Sequence, residues 1–262
     1  MTNPRVLAER LYNGILNDIE PLKYSVDPVN QLTERLSRMI LKSDRRFRIA
    51  GFVCPFYKMD EQKLDEGFGE AVKGIGLGCL EEHPRYQSKM DRLLKITDKV
   101  AMIFRGEAEV ELTILLGDKG IINANKMDDK GRLMEIINQN LDAYRKYHAS
   151  HSNKLVRVNI DLFSAYTGCY YEVGQPLSDL TEDGEKLMNG SVSFFMNERV
   201  KRGLVSSLRI KERYGFALNY GLAGMILRDR EMVIGTDKPG SQLNYMYHTF
   251  IRNEDLFVVV PK

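Results

Sequence analysis

The sequence predicts a single α/β domain with a Rossmann-like, mainly parallel sheet flanked by helices. Short apolar runs predict strands covered on both faces, as in parallel sheets, and the longer stretches between them carry apolar residues at helical spacing. The clearest strand is Val110 to Leu116, which ends at Gly117-Asp118-Lys119-Gly120. A helical pattern and a further strand follow it. Because strand, helix and strand form a βαβ unit, these observations together indicate a parallel sheet with right-handed crossovers.

The elements before this unit show the same alternation. A helical pattern begins at Asn3-Pro4, and a second begins at Asp27-Pro28, where aspartate caps the helix and proline occupies its first turn. We expect the second helix to end near Lys42. The next predicted features are a strand from Phe47 to Val53, a glycine-rich loop from Met59 to Gly78 and a helix around Tyr86 to Val100.

The later elements are predicted in the same way. A helix is expected from about Asp129 to Tyr147 and a strand from Leu155 to Ile160. The rest comprises a loop-rich span from Tyr166 to Asp183, helices near Phe194 to Lys201 and Ser207 to Leu227, and strands at Met232 to Gly235, Leu243 to Phe250 and Leu256 to Val260. Without repeats or a linker, we expect one domain over residues 1–262, with residues 1–45 as an N-terminal helical segment packed on it.

Composition favours a cytoplasmic protein that acts on a small molecule. The 262 residues carry a net charge of +2, from 38 basic and 36 acidic residues, which gives no general case for a nucleic-acid or membrane surface. The three cysteines share no CxxC spacing, and their odd number argues against a disulfide framework. Met1 to Glu20 is charged throughout and has no apolar run suited to an export signal. We therefore expect no association with a membrane.

Standard catalytic signatures are absent from the sequence, including GxGxxG, GxxxxGK[ST], HExxH and GxSxG. Gly74-Ile75-Gly76-Leu77-Gly78 is glycine-rich, but a flexible loop explains it better than a phosphate cradle. His148 and His151 lie near a helix end and lack a nearby cysteine or carboxylate cluster to complete a metal site, so a charged helix terminus is the better interpretation. We expect neither a metal nor a cofactor.

The ends of the predicted strands are more informative, because ligands of open α/β sheets bind beyond the carboxyl ends of the strands. Cys54-Pro55-Phe56-Tyr57-Lys58 follows one strand, and Asp118 follows another. A lysine beside an aromatic wall can have its pKa lowered and act as a base, and Asp118 could orient a substrate amine. We expect Lys58 and Asp118 to face one cleft; a solvated lysine and an ordinary turn is the alternative.

A second candidate site is the start of the long helix predicted after Ser206-Ser207. Free backbone amides at a helix N-terminus, together with Arg209 and Arg213, suit a phosphate. These two arginines share a helix face, whereas Lys211 points elsewhere. A solvated basic face is an equally good explanation.

The order of these features resembles the isonitrile synthase family, also called the pyoverdine/dityrosine biosynthesis family. The similar features are Cys54-Pro55-Phe56-Tyr57-Lys58 after two helices, the strand Val110 to Leu116 with the turn Gly117-Asp118-Lys119-Gly120 after it, Phe194-Phe195, and the basic segment from Ser206 to Arg213. The resemblance implies an enzyme that joins an amino-acid amine to the ketone of a ribulose phosphate, without a metal. It implies that Lys58 is an acid/base or carboxylate-binding group, that Asp118 positions the amine, and that Arg209 and Arg213 hold the phosphate.

The C-terminal part is also similar to the tRNA-dependent cyclodipeptide synthases, whose Rossmann-like fold is related to class I aminoacyl-tRNA synthetases. Leu218 to Gly224, which includes Tyr220, resembles their Tyr-x-x-x-Glu helix, and Tyr247-His248 resembles their C-terminal end. This resemblance implies a tRNA partner, with Cys54 or Val53 at the position of their nucleophilic serine. A cysteine there would need an activated thiolate.

A third interpretation is a catalytically inactive Rossmann-like binding module. Lys58-Met59-Asp60-Glu61 stands where the isonitrile synthases have Lys-Ser-Pro-Asn, and Gly224 stands where the cyclodipeptide synthases have glutamate. A binding module without catalytic activity is expected to have lost the signature residues of both families in this way. The sequence does not determine the amino-acid substrate or the oligomeric state.

Overall fold

A computed structural model of the chain describes residues 3–21, 27–42, 44–53, 84–118, 130–151, 153–167, 230–235 and 257–262. Helices and strands alternate along these ranges. The elements are α1 (Pro4–Ile15), β1 (Ile19–Pro21), α2 (Pro28–Leu41), β2 (Arg46–Val53), α3 (Pro84–Ile103), β3 (Glu109–Leu116), α4 (Lys130–His151), β4 (Val156–Leu162), α5 (Phe163–Thr167), β5 (Met232–Gly235) and β6 (Val258–Pro261).

The strands form one sheet in the order β1-β6-β5-β2-β3-β4. The short edge strand β1 is antiparallel to β6, and the other five strands are parallel to their neighbours. The prediction that three apolar runs form parallel neighbours is therefore confirmed: β2 pairs with β3, and β3 pairs with β4. The chain has the expected α/β fold with a mainly parallel sheet.

The first two helices begin where the sequence signals predict. The side chain of Asn3 accepts a hydrogen bond from the backbone amide of Arg5 at 2.9 Å. Asp27 Oδ1 accepts from the amides of Val29 at 3.0 Å and Asn30 at 3.1 Å. Proline occupies the first turn of both helices. Because each cap satisfies amides that have no partner within the helix, each contributes about 1 kcal/mol.

The main hydrophobic core lies between the sheet and the helices α1 to α4. Alternate residues of β2 and β3, such as Phe47 and Leu112, are buried on this helix-covered face. Phe47 stacks on Phe104 with 4.6 Å between the ring centroids. A Cβ atom on Gly51 would lie 2.7 Å from Leu93 Cδ1, so glycine lets α3 approach β2 closely.

Several boundaries differ from the predicted ones. Strand β1 was not predicted, because three residues that include Pro21 carry no alternation. The helix α5 covers Tyr166, where a loop was predicted, and the last strand begins at Val258 rather than Leu256. The predicted elements at Met59 to Gly78, Phe194 to Lys201, Ser207 to Leu227 and Leu243 to Phe250 lie outside the described residues.

One ion-pair cluster fixes the N-terminal segment to α3. Asp18 contacts the ammonium groups of Lys95, at 3.0 Å, and Lys99. Hydrogen bonds from Lys99 and Lys95 hold the pKa of the Asp18 carboxyl below its ordinary value. The cluster therefore favours the charged form of Asp18 in the folded state.

This cluster predicts a pH dependence of stability. A carboxyl whose pKa is lowered on folding stabilises the protein above its unfolded pKa, near 4, and loses that contribution as pH falls through the lower folded value. We expect Asp18→Asn to lower the free energy of unfolding by about 1 kcal/mol at pH 7 and by less at pH 3. Urea unfolding at both pH values measures this. Asp142→Asn, an exposed position on α4, is the control, and an equal loss at both pH values would contradict the account.

Among the described residues, no helix is both long and apolar enough to cross a membrane.

Candidate functional site

The carboxyl ends of the central strands lie together at one edge of the sheet. In the register of the sheet, Val53 at the end of β2 is level with Leu116 of β3, and Leu116 is level with Leu162 of β4. Gly235, the last residue of β5, pairs with Phe52. The segments that follow these strands in the sequence therefore start from one edge, as expected for a ligand site of an α/β sheet.

Asp118 lies at this carboxyl edge and is held there by the start of α5. The amide of Gly117 donates to the carbonyl of Val53 at 3.2 Å, which carries the β2–β3 pairing one residue beyond β3. The Asp118 side chain is buried, with 2% exposure. Its Oδ2 accepts from the backbone amide of Ser164 at 3.3 Å and from the Ser164 hydroxyl. Asp118 therefore joins the ends of β3 and β4 and has a fixed position.

The strand order marks where a ligand fits this edge. Strands β2, β3 and β4 follow one another in one direction across the sheet, whereas β5 and β6 lie on the other side of β2. The order therefore reverses between β2 and β5. Open α/β sheets bind ligands in the crevice outside the carboxyl ends at such a reversal. Asp118, at the end of the adjacent strand β3, lies one strand from this point.

The face opposite the helix-covered face carries charged residues, and we call it the polar face; it includes Arg48 and Glu111. Arg230, which precedes β5, is the centre of a network of ion pairs and hydrogen bonds at this face. The residue is 8% exposed. Its guanidinium lies 3.8 Å from a Glu111 carboxylate oxygen, donates to the Tyr166 hydroxyl, and sits 5.6 Å from the centroid of that ring. The backbone carbonyl of Arg230 accepts from Arg35 of α2. One arginine thus links α2, β3, α5 and β5.

A second buried charge on the polar face is Glu231. Its carboxylate accepts from the backbone amide of Arg48 at 2.7 Å, and the amide of Glu231 donates to the Arg48 carbonyl at 2.9 Å. Lys42, at 3.5 Å, supplies a positive charge. Because buried charges are tolerated when paired and hydrogen-bonded, this arrangement fixes the start of β5 beside β2.

A separate groove of about 610 Å³ lies on the outer surface of α3, between α1 and α4. Asp91 and His151 line it, and Tyr147 contacts both. The Tyr147 hydroxyl donates to Asp91, and the Tyr147 ring stacks on His151 with 4.2 Å between centroids. Burial, with the Asp91 hydrogen bond, raises the pKa of Tyr147 to about 12. Burial also raises the pKa of Asp98 and lowers that of His148. The groove lies on the far side of α3 from the sheet.

The two histidines lie near a helix end, as the sequence predicts. His148 and His151 occupy the last turn of α4. Two carboxylates of α3 lie close to them. Burial lowers the pKa of His148 and the charge of Asp98 opposes this shift in part, while Asp91 lines the groove together with His151. Spacing along one segment could not reveal groups supplied by another helix. Among the described residues, no group of three or more potential ligands fits a metal ion.

Of the predicted site residues, the structure describes only Asp118, which lies at the expected sheet edge. Whether Lys58 shares a cleft with it therefore remains a prediction. The other predicted site residues also lie outside the described ranges: Cys54, Tyr57, Arg209, Arg213, Tyr220, Tyr247 and His248.

Ser164 and Arg230 were not predicted as site residues from the sequence. Ser164 follows β4 by two residues, so the rule that singled out Asp118 applied to it as well. The sequence signal for Arg230 was weaker. Charged residues at alternate positions of β2 and β3 indicate a sheet face that requires ionic partners, such as an arginine from another segment. These residues are Arg46, Arg48, Glu109 and Glu111.

Comparison with known proteins yields fold-level matches only. No protein-family model and no curated protein matches the sequence. Tyrosyl-tRNA synthetase of Archaeoglobus fulgidus, solved with L-tyrosine, matches at 13% identity and a TM-score of 0.49, over 97% of this chain and 63% of the synthetase. The chain thus spans less than two thirds of that protein.

Two further solved structures correspond to the families that the sequence resembles. A cyclodipeptide synthase from Fluoribacter dumoffii matches at 9% identity and a TM-score of 0.38, over 82% of this chain and 89% of the other. The PvcA protein of Pseudomonas aeruginosa, of the isonitrile synthase family, matches at 14% identity and a TM-score of 0.40, over 90% and 81%.

Proposed function

We propose that this chain is a biosynthetic enzyme that binds an amino acid at the carboxyl edge of its parallel sheet. The observation that carries the proposal is a buried carboxylate, Asp118, fixed beside the point where the strand order reverses. Such a reversal creates a crevice for small ligands. A carboxylate held by Ser164 attracts a substrate ammonium group and orients it. The amine is the group that the site would recognise.

The reaction we propose is that of an isonitrile synthase. The amine nitrogen attacks the ketone carbon of a ribulose phosphate, and loss of water from the adduct gives an imine, the first intermediate toward the isonitrile. Asp118 positions the amine for this attack. By resemblance, Lys58 acts as acid/base or binds the carboxylate, Tyr57 contacts the substrate, and Arg209 and Arg213 bind the phosphate. No step assigned to these residues uses a metal or cofactor.

A second candidate function is that of a tRNA-dependent cyclodipeptide synthase. Strand β2 ends at Val53 beside the reversal, and Cys54 is the next residue in the sequence. In this reaction the Cys54 thiolate attacks the ester carbonyl of an aminoacyl-tRNA, and the 3′ oxygen of the tRNA leaves as the thioester forms. Tyr220, Tyr247 and His248 would contact the aminoacyl group.

Mass spectrometry of reaction products separates the candidates. Purified protein is incubated with L-amino acids and a ribulose phosphate in one reaction, and with aminoacyl-tRNA in another. The proposal predicts an amino-acid-derived product only in the first, which Lys58→Ala reduces. Cyclic dipeptides only in the second would favour the alternative, with tRNA binding that weakens steeply with salt. Products in neither reaction would indicate an inactive binding module.

A further inference from the structure

Strand β4 lies at the edge of the sheet. It is the last strand in the sheet order, and among the residues that the structure describes only β3 pairs with it. The edge of a sheet presents amides and carbonyls to which a strand of another molecule can pair, so proteins usually protect their edges. Arg157 and Asn159 of β4 are exposed. Solvent therefore reaches β4 on the polar face, beside its outer edge.

One arginine of helix α4 passes around this edge. Ile160 belongs to the hydrophobic core on the helix-covered face, so the next residue, Asp161, lies on the polar face. Arg145 comes from α4, on the helix-covered side. It donates through Nε to the Ile160 carbonyl at 3.1 Å, and its guanidinium lies 3.5 Å from the Asp161 carboxylate. Because β3 occupies the other side of β4, this side chain follows the outer edge from one face of the sheet to the other.

The same contacts occupy backbone groups that a further strand would use. Arg145 binds the carbonyl of Ile160, and the amide of Leu162 donates to the Asp161 carboxylate at 2.9 Å. Alternate residues of a strand direct their backbone groups to the same side, so Val158 presents its amide and carbonyl at this edge as well. We call the pair of Arg145 and Asp161 the edge clasp. It covers the part of the edge that follows Val158.

The sequence of β4 is complementary to a second copy of itself. In an antiparallel pair with a two-fold axis at Asn159, Arg157 lies opposite Asp161 of the second copy, and Val158 lies opposite Ile160 of the second copy. The two-fold axis forms each of these pairs twice. Opposite charges that face each other across two antiparallel strands stabilise the pairing, and Val158 and Ile160 direct their backbone groups to this edge. A second copy of the chain therefore fits the edge in both charge and register.

We propose that the outer edge of β4 is an interaction surface for a second copy of this chain, and that Arg145 keeps it closed. With the edge clasp in place, the Ile160 carbonyl is occupied and the guanidinium lies where the second strand would pair. Without Arg145, two copies join edge to edge, and their sheets become one continuous sheet. This inference is independent of the proposed function, since the edge clasp lies outside the candidate site.

Sedimentation equilibrium of the purified protein tests the proposal. Arg145→Ala is expected to lower the dissociation constant of the dimer at least about tenfold relative to the wild type, because it clears the edge and leaves the Ile160 carbonyl available for pairing. Lys146→Ala removes the same charge from the next position of α4, which is also exposed, and should associate like the wild type. Because the Arg145 side chain is 49% exposed, both variants should fold, and thermal unfolding checks this.

Second substitutions in the Arg145→Ala protein identify the interface. Val158→Pro removes an amide that faces the outer edge and leaves the pairing with β3 in place, so it should return the dissociation constant to the wild-type value. Arg157→Glu should do the same, because like charges then face each other. Adding Asp161→Arg to Arg157→Glu reverses both charges and should restore the dimer. An Arg145→Ala protein that associates no more strongly than the wild type, or whose association survives Val158→Pro and Arg157→Glu, overturns the proposal.

Discussion

Replacing Arg230 with alanine is expected to lower the free energy of unfolding by about 3 kcal/mol. The guanidinium is buried, and it contacts both the Glu111 carboxylate and Tyr166. Its removal leaves Glu111, whose side chain is only 18% exposed, with Arg46 at 3.7 Å as its remaining ion-pair partner among the described residues. Breaking a buried pair from one side is costly because the remaining charge stays desolvated. In a chain of this size, the Tm should fall by roughly 6–12 °C.

Two further variants identify the cause of this loss. Arg5→Ala removes an exposed ion pair with Glu9 and should leave the Tm within about 2 °C of the wild type. The double substitution Arg230→Met with Glu111→Met removes both charges and should recover much of the stability, because apolar residues can replace a buried ion pair at little cost. Thermal unfolding of the set measures this. An Arg230→Ala protein as stable as Arg5→Ala would show that the network is not stabilising.

Replacing Asp118 with asparagine is expected to reduce kcat/KM for the amino-acid substrate about a hundredfold. The change removes a negative charge but keeps an oxygen that can accept from Ser164, so the fold at the sheet edge should persist. An ammonium group then loses a charge-assisted hydrogen bond, worth roughly 1.5–3 kcal/mol. Initial rates of product formation, measured by mass spectrometry, give the effect on transition-state binding.

The control for this experiment is Asp142→Asn, which makes the same chemical change at an exposed position of α4. It should retain wild-type kcat/KM, and both variants should have a Tm close to the wild type. An Asp118→Asn protein with unchanged kinetics would leave Asp118 only its role in joining β3 to α5.

The fold could be predicted because its signals are local. The caps at Asn3 and Asp27 and the apolar runs of β2 and β3 are each readable within a few residues, and parallel pairing follows from the helices between the strands. Strand β1 could not be predicted in this way, because it has only three residues and depends on pairing with β6, more than 200 residues away in the sequence.

The candidate site could be predicted only in part. Asp118 was found because it follows a strand directly, and that position alone brings it to the ligand-binding edge. Its partner Ser164 comes from a different strand end, and Arg230 meets Glu111 and Tyr166 from three separate segments. Such contacts depend on the order of strands in the sheet. Local patterns along a single sequence do not reveal that order.

Calorimetry with a matched ligand pair tests directly whether Asp118 recognises the substrate amine. Wild-type protein and Asp118→Asn are titrated with an L-amino acid that the wild type binds and with the 2-hydroxy acid of the same side chain. We expect the wild type to prefer the amino acid about tenfold or more, and Asp118→Asn to lose this preference while still binding the hydroxy acid. Equal affinities in the wild type, or a preference that persists in Asp118→Asn, would contradict it.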